Sequence, residues 1–554
     1  LKVDEDGLMG SYLQRPGIHP WAGEHVGKYL ETASNVWRNT HDVRLKKQMD
    51  RMMFELINTQ EADGYLGTYT KDKHWTSWDV WSHKYNLYGL LAYYEATGYQ
   101  PALEACKKMG DLLATTFGNK ANQLDIILAG THMGMAATSV LDPMVELYRY
   151  TGDKKYLDFC YYIVEAWEHD NGPKIISRLL STGKVNKVGN GKSYEMLSNF
   201  LGLTNLYRLT GDEALIKPVL IAWQDIIDNR LYITGTTSAW EYFQEEGVLP
   251  AEEESHMSEG CLTTTWLQLN QSLFSITGDL KFYEQIEKTI YNHLLAAENP
   301  LTGCVSYYTP LMGIKPFTCY ITCCQSSVPR GMALLPPFAF GKINQLPTLV
   351  LYEEASYKSS ILSNDKKSID LKISVQSKFP ENGNLSINVG IIKKANFTLA
   401  LRVPAWSSSF VAIVGGKEYK GNSNESILID RTWNNNDRIA ISFDMPIHTK
   451  EGGKNYAGQI AFMRGPQVLA YDASINRELP IDFLQTATKL RVRKPVVAKE
   501  KQLLPTTWIG KQVYNVSAPG TSVVAKHIRL VPYADASQTG GSIKVWLPLT
   551  VAEY

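Results

Sequence analysis

Through the first 340 residues apolar positions recur three and four apart, as in Val145-Glu146-Leu147-Tyr148 and Phe282-Tyr283-Glu284-Gln285-Ile286. That spacing turns one face of a helix toward a core. The helical runs are broken by one repeated signal. Tyr94-Glu95-Ala96-Thr97-Gly98, Tyr148-Arg149-Tyr150-Thr151-Gly152-Asp153, Tyr207-Arg208-Leu209-Thr210-Gly211-Asp212 and Phe274-Ser275-Ile276-Thr277-Gly278-Asp279 share a form. Each ends an apolar helix on Thr-Gly, adds a polar residue or two, and opens a second amphipathic helix. The Gly suits a left-handed cap for the first helix and the Asp an N-cap for the second. Arg38-Asn39-Thr40-His41-Asp42 reads as an earlier, degenerate copy. Copies ~55–65 residues apart mean helical hairpins repeated around an axis. Five or six of them close naturally into an (α/α)6 barrel, expected over residues 1–340. A short open solenoid is the alternative, with a wide and shallow concave face.

Beyond residue 340 the period falls to two. Ser368-Ile369-Asp370-Leu371-Lys372-Ile373-Ser374-Val375, Leu385-Ser386-Ile387-Asn388-Val389 and Arg438-Ile439-Ala440-Ile441-Ser442-Phe443 alternate, with turns such as Glu381-Asn382-Gly383-Asn384 between them. This predicts antiparallel sheet. Lys450-Glu451-Gly452-Gly453-Lys454 offers a break before further strands at Gln459-Ile460-Ala461-Phe462 and Ser542-Ile543-Lys544-Val545-Trp546. The expected fold is therefore a mainly α N-terminal (α/α)6 barrel followed by C-terminal all-β sandwich domains, at 341–450 and 451–554.

Bulk composition narrows the function. Lys+Arg and Asp+Glu both count 56, a balance that argues against a nucleic-acid partner. No run of eighteen apolar residues occurs, so no membrane span is expected. The numbering opens at Leu1 without an apolar leader, which is uninformative where a signal peptide has been removed.

The chemistry gathers between Trp240 and Cys324. Of seven cysteines, five (Cys261, Cys304, Cys319, Cys323 and Cys324) lie in this region. Adjacent Cys323 and Cys324 make a poor disulfide framework and point to thiolate chemistry. Glu259, Cys261, Cys323 and Cys324 offer one carboxylate and three sulfurs, a donor set zinc accepts. Buried free cysteines are the alternative. Metal-held sulfur stays a thiolate at neutral pH, hence a nucleophile, although ligation also quenches it. Glu241 is a candidate proton donor and acceptor for a retaining glycosidase, or else a solvated glutamate beside Glu245 and Glu246.

Trp240-Glu241-Tyr242-Phe243, Leu249-Pro250, Glu259-Gly260-Cys261 and Thr322-Cys323-Cys324 resemble glycoside hydrolase family 127, the β-L-arabinofuranosidases. So do Gly64-Tyr65-Leu66, Ser82-His83-Lys84-Tyr85, Tyr232-Ile233-Thr234-Gly235, Leu401-Arg402-Val403-Pro404-Ala405-Trp406 and Phe462-Met463-Arg464-Gly465-Pro466. The resemblance implies a retaining exo-glycosidase with a zinc site of one Glu and three Cys. On it Cys323 is nucleophile and ligand, Glu259, Cys261 and Cys324 are the other ligands, and Glu241 is the general acid/base. His83 and Tyr308 fall on substrate-side family residues. Two other family histidines in the sugar pocket map to Ala137 and Lys192, the first within a residue or two of an alignment slip around His132.

A lysine in place of a neutral imidazole favours a carboxylate on the substrate. The expected substrate is thus a terminal β-L-arabinofuranoside or a carboxylated analogue such as aceric acid, from plant cell-wall pectin side chains. Alternatively, Lys192 faces solvent or pairs with a glutamate such as Glu195. Such polymer-derived sugars suggest a periplasmic or secreted bacterial enzyme. Two other readings stay open: a polysaccharide lyase on an α/α barrel, and a non-catalytic carbohydrate-binding protein with structural zinc.

Overall fold

The Thr-Gly-Asp signals do the capping that their residue types suggest. In a computed structural model describing residues 4–478, 490–492, 496–497, 504–518 and 526–551, Gly98, Gly152, Gly211 and Gly278 all end helices at φ between 66° and 71°. His41 takes the same role at φ 50°, which explains why the first copy lacks glycine. The threonine before each cap donates its hydroxyl to the carbonyl four residues back, as Thr151 does to Leu147 at 2.8 Å. Asp42, Asp153, Asp212 and Asp279 then accept from the first turn of the next helix.

Fourteen α-helices result among the described residues. They are α1 Glu5–Leu13, α2 Glu24–Thr40, α3 Val43–Asn58, α4 Asp79–Thr97, α5 Gln100–Thr116, α6 Met135–Thr138 and α7 Leu141–Thr151. The rest are α8 Lys154–Ala166, α9 Ile175–Thr182, α10 Ser193–Thr210, α11 Glu213–Asn229, α12 Gly260–Thr277, α13 Leu280–Thr289 and α14 Cys323–Ala333. The capped turns make hairpins of α2–α3, α4–α5, α7–α8, α10–α11 and α12–α13.

One compact unit comprises Leu1–Ser272, Gly303–Pro310 and Pro316–Ala333. In it α2, α4, α7, α10, the start of α12, and α14 form an inner ring. The α2 and α4 backbones approach closely at two glycines, where a Cβ on Gly27 would meet the Tyr85 carbonyl at 2.1 Å. Asp142 on α7 accepts from Tyr88 of α4 and, at 2.7 Å, from Asn205 of α10, which accepts from Ser272 of α12. Thr264 donates to the Ser327 carbonyl, and Arg330 of α14 pairs with Glu31 of α2 at 2.7 Å. The ring is therefore closed: a toroid of inner helices with α3, α5, α8 and α11 outside.

The second unit comprises Leu273–Thr302, Leu311–Lys315 and Leu334–Tyr554. A six-stranded antiparallel sheet runs in the order Lys417–Lys420, Phe410–Val414, Asp437–Phe443, Asn384–Gly390, Ser368–Gln376, Ala355–Leu362. A four-stranded sheet runs Ser426–Trp433, Ala395–Arg402, Leu346–Leu349, Phe340–Ile343. The chain switches between the two sheets, and Tyr352 packs on Phe410 and Phe443 between them, as in a β-sandwich. A third sheet, of eight strands, has a core of Phe462, Leu469, Tyr471, Val516, Leu530 and Leu547. Lys450–Lys454 lies in a hairpin of this sheet, between Ile447–Gly452 and Tyr456–Arg464. Of residues 451–554, the stretches 479–489, 493–495, 498–503, 519–525 and 552–554 lie outside the described residues. Within this unit Arg402 grips Glu287 through two bonds of 2.8 and 2.9 Å, and Trp406 donates to the same carboxylate. That gives Leu401–Trp406 a structural purpose.

Candidate metal and catalytic site

Two strand-to-helix junctions bring four ligand groups together. Glu259 bridges the extended chain at Tyr308 and is followed at once by α12, whose first turn carries Cys261. Thr322 accepts from the Gln325 N–H at 3.0 Å and caps α14, which opens on Cys323 and Cys324. Thiolates at helix N-termini are favoured by the aligned peptide dipoles. Gly260 lies where the helices meet: a Cβ there would stand 2.7 Å from Val328 and 3.3 Å from Cys324.

The ligand atoms of Glu259, Cys261, Cys323 and Cys324 all lie within 4.8 Å of one another, so this cluster could hold a metal ion. The Cys261 and Cys324 sulfurs are 3.6 Å apart and those of Cys323 and Cys324 are 4.0 Å apart. Glu259 Oε1 is 3.8 Å from the Cys323 sulfur and 4.0 Å from that of Cys324. Ligands held at about 2.3 Å by a tetrahedral ion stand about 3.8 Å apart, so the donor set fits. The other Glu259 oxygen is buried without a hydrogen-bond partner, as a further point for a cation to satisfy. Cys323 is the one ligand that is only half-buried.

Glu241 stands beside the cluster on a strained loop. Ser238, Trp240, Glu241, His256 and Ser258 all have positive φ, 67° at Glu241 itself. Such conformations are costly for residues with side chains and persist only where surroundings hold them. Ser193 does so, donating its N–H and its hydroxyl to the Glu241 carbonyl at 3.0 and 2.8 Å. The Glu241 carboxylate accepts from Lys192 on one oxygen and from Tyr308 and, at 3.3 Å, Tyr307 on the other. Burial pushes this carboxyl up, but the Lys192 ammonium and these donors hold it below its usual value. Tyr307 also lies 2.9 Å from the Cys323 sulfur, so one hydroxyl spans both groups. Tyr308 stacks on His256 with ring centroids 4.6 Å apart.

The other expected residues distribute unevenly. Lys192 sits at the N-cap of α10 and pairs with Glu241 rather than facing solvent. Burial pushes the Glu195 carboxyl up to about 7 despite Lys192. His83 is fully buried, accepting from the Leu66 N–H at 3.2 Å and bonded to the Asp79 carbonyl at 3.0 Å. Both its ring nitrogens are thus occupied by backbone, and the motifs Gly64–Leu66 and Ser82–Tyr85 are explained as one braced unit. Ala137 is buried, whereas His132 lies half-buried near Lys192 and Glu241. Burial and the Lys192 ammonium push its imidazole down to about 4, against the pull of Glu241.

Sequence reasoning missed Tyr307, one position from the tyrosine it chose, and Lys28, whose ammonium is buried against Cys261. It also left Cys304 and Cys319 unassigned. They form a disulfide at the base of the ladder pairing Val305 with Thr318 and Ser306 with Phe317.

Known proteins agree with this architecture. The family model "Beta-L-arabinofuranosidase, GH127 catalytic domain" matches residues 16–336, and "Beta-L-arabinofuranosidase, GH127 middle domain" matches 354–445. A non-reducing end β-L-arabinofuranosidase of Bifidobacterium longum subsp. longum is 24% identical over 510 residues, covering 80% of this chain and 74% of its own. A GH127 β-L-arabinofuranosidase structure from Geobacillus stearothermophilus T6 superposes with a TM-score of 0.78 at 18% identity, covering 99% of this chain and 94% of that one. A second GH127 β-arabinofuranosidase structure also gives 0.78, at 23% identity over 98% and 91%. At these identities the superpositions speak to the fold.

Proposed function

The chain belongs to glycoside hydrolase family 127, the β-L-arabinofuranosidase family, and we propose that it is a retaining exo-glycosidase with Cys323 as nucleophile and Glu241 as general acid/base. The observation that carries this reading is the Tyr307 hydroxyl, 2.9 Å from the Cys323 sulfur and 3.3 Å from the Glu241 carboxylate. It bounds the separation of the two reacting groups to a span compatible with the ~5–5.5 Å of retaining enzymes. The half-buried state of Cys323 supports a reactive sulfur over a closed structural site.

Glu259, Cys261, Cys323 and Cys324 would hold zinc, which when bound keeps sulfur deprotonated at neutral pH. The Cys323 sulfur attacks the anomeric carbon as the bond to the leaving oxygen breaks, and Glu241 gives that oxygen its proton. Glu241 then takes a proton from water, whose oxygen attacks the same carbon and releases the Cys323 thiolate. Two inversions give net retention. Tyr307 aligns the sulfur, and Tyr308 orients the carboxylate between steps. His83 acts from beneath, by bracing Leu66 and Asp79.

The substrate in this reading is a terminal β-L-arabinofuranoside or a carboxylated analogue such as aceric acid. The pairing of Lys192 with Glu241 supports the second form, because it puts a cation beside the group that protonates the leaving oxygen. Product analysis on β-L-arabinofuranosides and pectin side-chain oligosaccharides tests this, with NMR following the anomer first released. Retention, lost on Cys323→Ser, is expected. An unsaturated uronide product, or no release by zinc-loaded protein, would overturn it.

A further inference from the structure

Lys28 lies in α2, far in sequence from the metal cluster, yet its ammonium is buried directly against it. It forms an ion pair with Glu24 Oε1 at 2.9 Å and donates to the Cys323 carbonyl at 3.3 Å and the Cys261 sulfur at 3.9 Å. The rings of Tyr85 and Tyr194 enclose it, with centroids 4.7 and 5.6 Å away. Side-chain exposure is 0% for Lys28 and 2% for Glu24, whose second oxygen accepts from Trp81. The close passage of α2 over α4 at Gly27 delivers the lysine to this depth.

Charge counting gives the arrangement a purpose. Three thiolates and a carboxylate carry four negative charges, and a divalent ion returns two. The excess sits in a site from which water is nearly excluded, where uncompensated charge is costly. We propose that Lys28 is the positioning residue that neutralises the metal–thiolate cluster, and that Glu24 sets how much positive charge it delivers. The inference rests on the metal reading of the four ligands. A plain ion pair securing α2 would need neither the sulfur contact nor the bond to the Cys323 carbonyl.

The two partners predict opposite effects, which a merely structural pair does not. Lys28→Met should weaken zinc binding by about 10- to 100-fold, the usual range for a group supporting a ligand shell. Glu24→Gln keeps the Trp81 bond and frees the full ammonium charge, so its zinc affinity should equal or exceed the parent's. The double variant should fall between the parent and Lys28→Met. Chelator competition with zinc reads the order. In cobalt-loaded protein the thiolate-to-metal charge-transfer band should move to lower energy in Lys28→Met and to higher energy in Glu24→Gln. Equal loss of affinity in both single variants overturns the proposal, as does parent-like affinity in Lys28→Met. Should that variant not fold, a weakened Glu24→Gln is enough to overturn it. A parent that binds neither metal defeats the metal reading itself, a different and recognisable failure.

Discussion

Replacing Lys192 by methionine removes the one cation that, among the described residues, contacts the Glu241 carboxylate. The pair is well shielded, with side-chain exposures of 9% for Lys192 and 21% for Glu241. An opposite charge at contact lowers a carboxyl by roughly 1–3 pH units. Tyr307 and Tyr308 still donate to Glu241 in the variant, and some water reaches it, so its carboxyl is expected to rise, by less than the full loss of that pairing. The sign follows from the mechanism. In the glycosylation step Glu241 must carry a proton, so kcat/KM falls as pH rises through its pKa. Lys192 holds that pKa low and the alkaline limb with it. Its removal should move the limb upward on a neutral β-L-arabinofuranoside. On a carboxylated furanoside the variant should instead lose a charge-assisted bond worth about 1.5–3 kcal/mol, or ~10–100-fold in kcat/KM. Profiles of kcat/KM against pH for both proteins and both substrates make the assay. An unmoved alkaline limb would refute the electrostatic argument. Parent-like hydrolysis of the acidic sugar would refute the substrate reading.

Other positions give independent checks. Glu241→Gln should cut kcat/KM by about 10²–10⁴ on natural glycosides and far less on an aryl glycoside whose leaving group needs no proton, read by initial rates. Tyr307→Phe removes the hydroxyl shared by Cys323 and Glu241 and should lower kcat about 10–100-fold with little change in KM, also by steady-state rates. Gly260→Ala drives a methyl into Val328 and Cys324 and should cost about 1–3 kcal/mol in urea unfolding, together with a lower zinc content. Arg402→Met strands the buried Glu287 carboxylate and should destabilise the protein by about 3–5 kcal/mol in the same assay.

The helical half of the fold was legible because its punctuation is local. Thr, Gly and Asp cap adjacent helices through bonds that span at most four residues, so the pattern survives without any tertiary information. The ligand quartet was legible for a different reason: Glu259-Gly260-Cys261 and Cys323-Cys324 are short motifs, although only the α12–α14 contact shows why glycine stands between Glu259 and Cys261. Lys28 left no such trace. A lysine on an amphipathic helix ordinarily reads as a solvated position, and its partner Cys261 is 233 residues away. The cue was indirect, namely Gly27 and Gly89 inside helices, which mark a close backbone approach. The choice between Tyr307 and Tyr308 turns on which ring meets the sulfur, and neighbouring tyrosines at a turn do not announce that. Cys304 with Cys319 illustrates that disulfide pairing does not follow from cysteine counts.

The hairpin architecture also bears on why this chemistry sits where it does. The inner helices α2, α4, α7 and α10 are each followed by an outer helix that returns the chain, so these four run in one direction. The start of α12 brings Glu259 and Cys261 to the site, the start of α14 brings Cys323 and Cys324, and the start of α10 brings Lys192. Helix N-termini carry partial positive charge and favour anions, which suits three thiolates and two carboxylates. The same field disfavours a cation. Lys192 at the N-cap of α10 is therefore out of keeping with the local dipole, and only an anion facing it offsets that cost. In the resting protein Glu195 and Glu259 act on it electrostatically and Glu241 is in direct contact. During glycosylation Glu241 must be neutral, so Lys192 then loses the one of these anions that it touches, and Glu195 and Glu259 remain. A carboxylate on the sugar would take the place of Glu241 at that step, which is the physical basis of the proposed acidic furanoside.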